Sequence, residues 1–201
     1  MSKMREAKQH DIFNAAMTLF SEKGFDQASM DGIAKLARVS KRTLYKYFPT
    51  KDKLFETIVD SLMSNFEQHL PVDFDRNTSI SDQLFAILSE RMSYLLDPQF
   101  IQLSRLVSVE CMKQKRFAEI ALAQLQTIEG GYGLRHWAKQ GVEQNKLSLS
   151  EPLLAIEQLI GSIKGTCYWP SLMTHQDPVT RAELDQAIRF ACDSFESAHS
   201  R

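Results

Sequence analysis

The sequence predicts an all-α chain of about nine helices. A small three-helix N-terminal domain would occupy residues 1–50 and a larger helical domain residues 51–201. Three observations carry this reading. Apolar residues recur at three- and four-residue spacing in almost every segment. Pro and Gly number only six and eight in 201 residues, and β-branched runs are few. Charge is uneven: residues 1–53 carry a net +5 and the remainder −6, within a total of −1. A basic head on an acidic body is the asymmetry of a nucleic-acid-binding module joined to a second domain.

The first helix is expected near Glu6–Lys23, with Ile12, Ala16, Leu19 and Phe20 on one face. Gly24 follows as its left-handed C′ residue, and Phe25 as the hydrophobic contact that folds back. Before it, residues 1–7 are polar and basic. Lys3 and Arg5 either lie near phosphates or belong to a frayed end. The stretch S-M-D-G-I-A-K-L-A-R-V-S-K-R-T-L-Y-K-Y-F-P-T-K-D-K-L-F, residues 29–55, reads as two short helices joined by a turn and followed by a third helix. Ser29 caps the first of these, and Asp31 sits where a helix N-terminus favours negative charge. Ile33, Ala34 and Ala37 form its apolar face. Arg38-Val39 is the turn. Ser40 caps the second helix, Lys41–Phe48, which Pro49 ends. Leu44 and Phe48 point inward. Lys41, Arg42, Thr43, Tyr45, Lys46 and Tyr47 are left outward, three of them cationic. That is the layout of a helix-turn-helix with its recognition helix second. Its cations suit phosphates, and its polar groups suit phosphate oxygens or base edges. A plain αα-hairpin with a solvated charged face is the bland alternative.

The block from Ile33 to Leu54 resembles the tetracycline-repressor (TetR) family of bacterial transcriptional regulators. That family's pattern runs roughly I-A-x-x-A-G-V-S-x-x-x-[LIV]-Y-x-[HY]-F-x-x-K-x-x-L. One position departs: the family usually has Gly in the turn, where this chain has Arg38. A left-handed backbone there costs a non-Gly residue on the order of 1 kcal/mol. Arg38 is thus either a tolerated substitution or an extra phosphate contact. The resemblance implies a homodimer bound to a double-stranded DNA operator and released by a small-molecule effector. It implies DNA contacts from Ser29, Ser40, Lys41, Arg42, Thr43, Tyr45, Lys46, Tyr47 and Lys51. Tyr45, Tyr47 and Lys51 would touch mainly phosphate, while Arg42, Thr43 and Lys46 are candidates for base readout.

Thr50 caps a fourth helix, Lys51 to about Leu70, striped by Phe55, Ile58, Val59, Leu62 and Phe66. A fifth runs roughly Ser81–Leu96 and a sixth roughly Gln99–Gln114. On the sixth, Glu110 falls on or beside the apolar face, and a buried carboxylate needs a partner. It either meets a cationic or hydroxylated ligand or pairs with Arg91 or Arg105. A seventh helix starts near Arg116 and is interrupted at Gly130-Gly131-Tyr132-Gly133, resuming from Leu134 to Gln140. An eighth, Pro152 to about Thr174, should kink at Pro170. A ninth runs from about Thr180 to His199.

The resemblance further implies a ligand pocket among the fifth to eighth helices. Tyr94, Phe100, Glu110, Cys111, Phe117, Trp137, Tyr168 and Trp169 are its candidate lining, each with ordinary core packing as the alternative. It also implies a dimer interface from the last two long helices, for which Ile156, Ile160, Ile163, Leu184, Ile188, Ala191 and Phe195 form the apolar stripes. Gly161 and Gly165 would let another helix approach closely.

Enzyme chemistry is not indicated. H-E-x-x-H, G-x-S-x-G and P-loop motifs are absent, and His10, His69, His136, His175 and His199 are scattered without metal-ligand spacing. No cofactor or metal is expected. Cys111, Cys167 and Cys192 are far apart and odd in number, which fits a reducing cytosol. With neither an apolar leader nor a membrane-length apolar run, a cytoplasmic protein is expected. Two further readings stay open: a regulator that senses redox through Cys111, and a helical dimeric interaction module that does not bind DNA.

Overall fold

The structure is a computed structural model. It describes residues 2–64, 71–125, 133–174 and 176–201, with the side chains of residues 2–5 and 125 excepted. The readings of Lys3 and Arg5 as phosphate neighbours, of Phe66 in the fourth helix's stripe, of a break at Gly130–Tyr132, and of His69 and His175 lie outside the described side chains or residues. The described chain is helical, with α1 Ser2–Gln27, α2 Met30–Leu36, α3 Lys41–Tyr47, α4 Lys51–Met63, α5 Ile80–Arg91, α6 Pro98–Lys113, α7 Lys115–Leu125, α8 Leu134–Glu143, α9 Pro152–Cys167, α10 Trp169–Thr174 and α11 Arg181–His199. Only one isolated β-bridge, Leu147 to Ser200, interrupts this pattern among the described residues. No helix among them is long and apolar enough to cross a membrane.

The helix boundaries follow local chemistry. Ser29, Ser40 and Thr50 each accept a hydrogen bond from an amide in the first turn of the helix that follows. Thr180 and Glu183 close a reciprocal capping box at the start of α11. The expected fifth helix stops early: α5 ends at Arg91 and a 3-10 turn covers Ser93–Leu96. The expected eighth helix divides into α9 and α10 just ahead of Pro170, whose missing N–H breaks the ladder. Gly24 has φ 75° and ψ 163°, so it breaks α1 in an extended positive-φ conformation rather than a left-handed helical one. A short helical tail to Gln27 follows it.

The chain divides into two compact units. The first comprises residues 1–64 and 103–127, the second residues 65–102 and 128–201. The expected boundary at residue 50 falls inside the first of these units.

The first unit is built on a four-ring cluster. Phe25 stands 5.3 Å from Phe20, 5.5 Å from Phe55 and 4.7 Å from Phe117, and Phe55 stands 4.2 Å from Phe117, centroid to centroid. In the same unit Ile12, Ile33, Leu44, Leu54 and Ile58 are fully buried. In the second unit α5, α8, α9 and α11 enclose Leu84, Leu88, Trp137, Ile156, Ile163, Leu184 and Ile188. Its polar fastenings join stretches far apart in sequence: Glu196 accepts from the Ile80 and Ser81 amides at the start of α5. The Trp137 indole N–H donates to Gln83 at 2.9 Å.

Candidate nucleic-acid interface

The α2–α3 corner is set by small residues and one strained turn. Ala34 and Ala37 are buried, which lets α2 and α3 pack closely, while Leu44 and Phe48 cover the inside of α3. Arg38 has φ 54°. Its N–H donates to the Lys35 carbonyl at 3.2 Å and the Val39 N–H to the Ala34 carbonyl at 3.0 Å. This pair of bonds is a Schellman closure with an arginine where glycine is usual. The sequence expectation of a left-handed turn therefore holds.

The outer face of α3 carries Lys41, Arg42, Tyr45 and Lys46, all exposed, with Thr43 and Tyr47 half-buried. Arg42 and Lys46 have no hydrogen bond or ion pair to another described residue. Ser40 accepts from the Thr43 amide at 3.1 Å, and the two hydroxyls lie 2.8 Å apart. Thr43 is thus partly engaged in the cap. Ser29 remains exposed at the start of α2 and accepts from the Gly32 amide. Lys41 is held by Asp31 at 2.6 Å, and that bond and charge raise the lysine's pKa.

Lys51 departs from its expected role. Its ammonium turns inward and donates to the carbonyls of Phe25 (2.6 Å), Asp26 (3.1 Å) and Ala28 (2.9 Å), 4.4 Å above the Phe25 ring. A cation at the end of a helix satisfies its last carbonyls and meets the negative end of its dipole. The ammonium is spent on that corner, so only the backbone amide of Lys51, in the first turn of α4, points to an anion role.

Glu110 is likewise corrected. It is 1% exposed, and one oxygen accepts from the Phe25 amide and from Lys113, both at 3.2 Å. The other oxygen has no partner among the described residues. Its partners are a backbone N–H and a lysine, neither Arg91 nor Arg105. Sequence spacing located the buried carboxylate, but no pattern reveals an amide supplied from 85 residues away.

The expected pocket lining is shared between the two units. Glu110, Cys111 and Phe117 belong to the first unit, and Phe117 is one of its core rings. Trp137 is fully buried in the second unit beside Phe74 and Phe195. Tyr94, Phe100, Tyr168 and Trp169 do come together, as a run of rings with centroids 4.5, 6.1 and 5.0 Å apart. Burial and the neighbouring Glu110 charge push the Cys111 thiol up, the reverse of what a reactive thiolate needs. Burial drives Cys192 further, up to about 12. Among the described residues no group of three His, Cys, Asp or Glu is placed to hold a metal.

The stripe assigned to dimer contact is core. Ile156, Ile160, Ile163, Leu184, Ile188, Ala191 and Phe195 are all between 0 and 8% exposed within the single chain. The largest apolar face of each helix is taken up by its own unit. What α9 to α11 leave outside is different: Leu154 is 52% exposed, Trp169 52%, Met173 71% and Phe190 75%. A Cβ at Gly161 or Gly165 would meet nothing within 4 Å. A groove of about 500 Å³ between α9 and α11 is lined by Ser162, Thr166, Ala187 and Phe190 among others.

A capped helix-turn-helix with an exposed cationic second helix, set on a helical body, defines a DNA-binding transcriptional regulator. Residues 12–58 match the model of bacterial regulatory proteins of the tetR family, and residues 82–200 that of the AefR-like transcriptional repressor C-terminal domain. The chain belongs to the TetR family, whose members are regulators rather than enzymes. Among curated relatives, it is 33% identical over 92 residues to the biofilm operon icaADBC negative transcriptional regulator IcaR of Staphylococcus epidermidis, covering 46% of this chain and 49% of that one. It is 40% identical over 77 residues to the uncharacterized regulator YdeS of Bacillus subtilis, covering 38% and 37%. The chain thus spans half or less of the length of these relatives. A crystal structure of a TetR family regulator from Pseudomonas syringae pv. tomato superposes with a TM-score of 0.80 at 26% identity, over 96% of both chains.

Proposed function

We propose that the protein is a homodimeric repressor that binds a palindromic operator through α3 and leaves it when a small molecule binds the helical body. The observation that carries this is the outer face of α3: Arg42 and Lys46 stand exposed and unpaired among the described residues, on a helix fixed by a cap at Ser40 and by Leu44 beneath. Free donors on a rigid helix suit bidentate contacts to base edges. Tyr45, Ser29 and the Lys51 amide suit phosphates. Two such helices related by a two-fold axis would read half-sites whose centres are about 34 Å apart or a multiple of it.

The exposed face of α9 to α11 supports the dimer. Phe190 and Met173 are large apolar side chains left in water, and Gly161 and Gly165 offer a flat surface to a second helix. The Tyr94, Phe100, Tyr168 run supports an effector with apolar or aromatic character. Release is then a population shift toward a head spacing that no longer fits the operator, limited by the effector's differential affinity for the two states.

Selection of binding fragments from the source genome, followed by salt titration of one recovered fragment, tests the reading. One palindromic motif with affinity falling steeply as salt rises is the expected result. Uniform weak binding to every fragment would refute sequence-specific repression.

A further inference from the structure

We propose that Asp31 is a specificity-determining residue of the DNA-binding head: its carboxylate holds Lys41 back from phosphates and so suppresses sequence-independent binding. The inference rests on the DNA-binding reading above. Lys41 opens α3, where a cation would reach a phosphate first. Yet its Nζ is 2.6 Å from Asp31 Oδ2, an acid placed in the first turn of α2. Both side chains are open to water, 66% and 58% exposed. An ion pair in that setting adds little to stability, so fold maintenance does not account for it. It acts on the charge presented to DNA. Of the exposed cations Lys41, Arg42 and Lys46, one is neutralised within the protein while the other two have no partner among the described residues.

The consequence differs between the two kinds of site. On arbitrary sequence, affinity comes almost wholly from phosphates neutralised and counterions released, and a lysine already paired releases none. At the operator, base contacts from Arg42 and Lys46 hold α3 in one register, where a phosphate at fixed position can take Lys41 from Asp31. The acid therefore subtracts more from nonspecific than from specific binding and widens the ratio between them.

The test compares wild type, Asp31→Asn, Lys41→Met and the double variant, each as the full chain. The probes are a mixed-sequence 30-bp duplex and a duplex carrying the motif recovered by genomic selection. Asp31→Asn should steepen the slope of log affinity against log salt on the mixed duplex by about 0.9, one extra phosphate contact. That is roughly a 3.5-fold larger change in affinity between 50 and 200 mM salt. Preference for the selected duplex should fall. In the Lys41→Met background the same substitution should leave the slope unchanged. An unchanged slope in Asp31→Asn, or an equal change with Lys41 absent, overturns the proposal while leaving DNA binding intact. If wild type shows no salt-dependent binding to either duplex, the DNA-binding reading itself fails and takes the proposal with it.

Discussion

Replacing Arg38 by glycine should stabilise the protein. Arg38 holds φ 54° because the Schellman closure of α2 requires it, with Val39 bonded back to Ala34 at 3.0 Å. A side chain in the left-handed region costs roughly 1–2 kcal/mol. Glycine removes that cost but brings about 0.5–1 kcal/mol of extra unfolded-state entropy. The difference leaves a net gain of about 0.5–1 kcal/mol. At roughly 2–4 °C per kcal/mol for a chain of this size, Tm should rise by about 1–4 °C. Calorimetric melts of wild type, Arg38→Gly and Arg38→Ala in one buffer separate backbone from charge, since alanine removes the guanidinium and keeps the Cβ. Alanine should give no gain. If glycine leaves Tm unchanged or lower, or if alanine raises it equally, strain at this turn is not the cause. A salt slope shallower by about 0.9 in both variants would instead assign Arg38 a phosphate.

Three further outcomes are expected. Lys51→Met removes the charged donor from three carbonyls and should cost about 2–3 kcal/mol, read as a Tm lower by roughly 4–12 °C; a Tm within a degree of wild type would show that water replaces the ammonium without loss. Arg42→Ala should lose about 1–3 kcal/mol of discrimination between the operator and single-base variants while changing mixed-sequence affinity less; equal losses on every duplex would place Arg42 on phosphate alone. Phe190→Glu puts a charge on the open face of α11 and should shift sedimentation from dimer to monomer without lowering helical content by circular dichroism, and a variant that sediments as wild type does would move the dimer contact elsewhere.

The N-terminal part of the fold was legible because its signals are local. Ser29, Ser40 and Thr50 are caps whose partners lie three residues away, and Pro49 stops a helix by its own ring. Leu44 and Phe48 are inward because four-residue spacing leaves them no other face. The outward set on α3 followed by subtraction, and only the depth of Thr43 and Tyr47 was missed. The body was legible as helices but not as surfaces. A stripe such as Ile156, Ile160 and Ile163 states that one face is buried, never by what. The structure shows the chain itself taking up that face. What those stripes leave outside is a scatter of single apolar residues such as Phe190 and Met173, which carry no periodic signal.

Polar residues show the same limit more sharply, and Phe25 is the case that explains why. Its N–H is taken by Glu110, its carbonyl by Lys51, and its ring by Phe20, Phe55 and Phe117. Each ring pair beyond simple burial is worth about 0.5–1.5 kcal/mol, so packing alone would hold the side chain. Packing does not fix the peptide plane at the break after Gly24, where the chain leaves α1 to begin the helix-turn-helix. Two charged groups, one from α4 and one from α6, fix it instead. A carboxylate buried with one oxygen unpartnered among the described residues is a poor way to gain stability, since an apolar residue in its place is often neutral or better. What the carboxylate supplies is direction: it accepts only where an N–H points at it. The charges a sequence reader assigns to ligand and phosphate, Glu110 and Lys51, are therefore used to orient the peptide from which α2 and α3 depart. On the outer face of α3, by contrast, Arg42 and Lys46 have no such bond among the described residues.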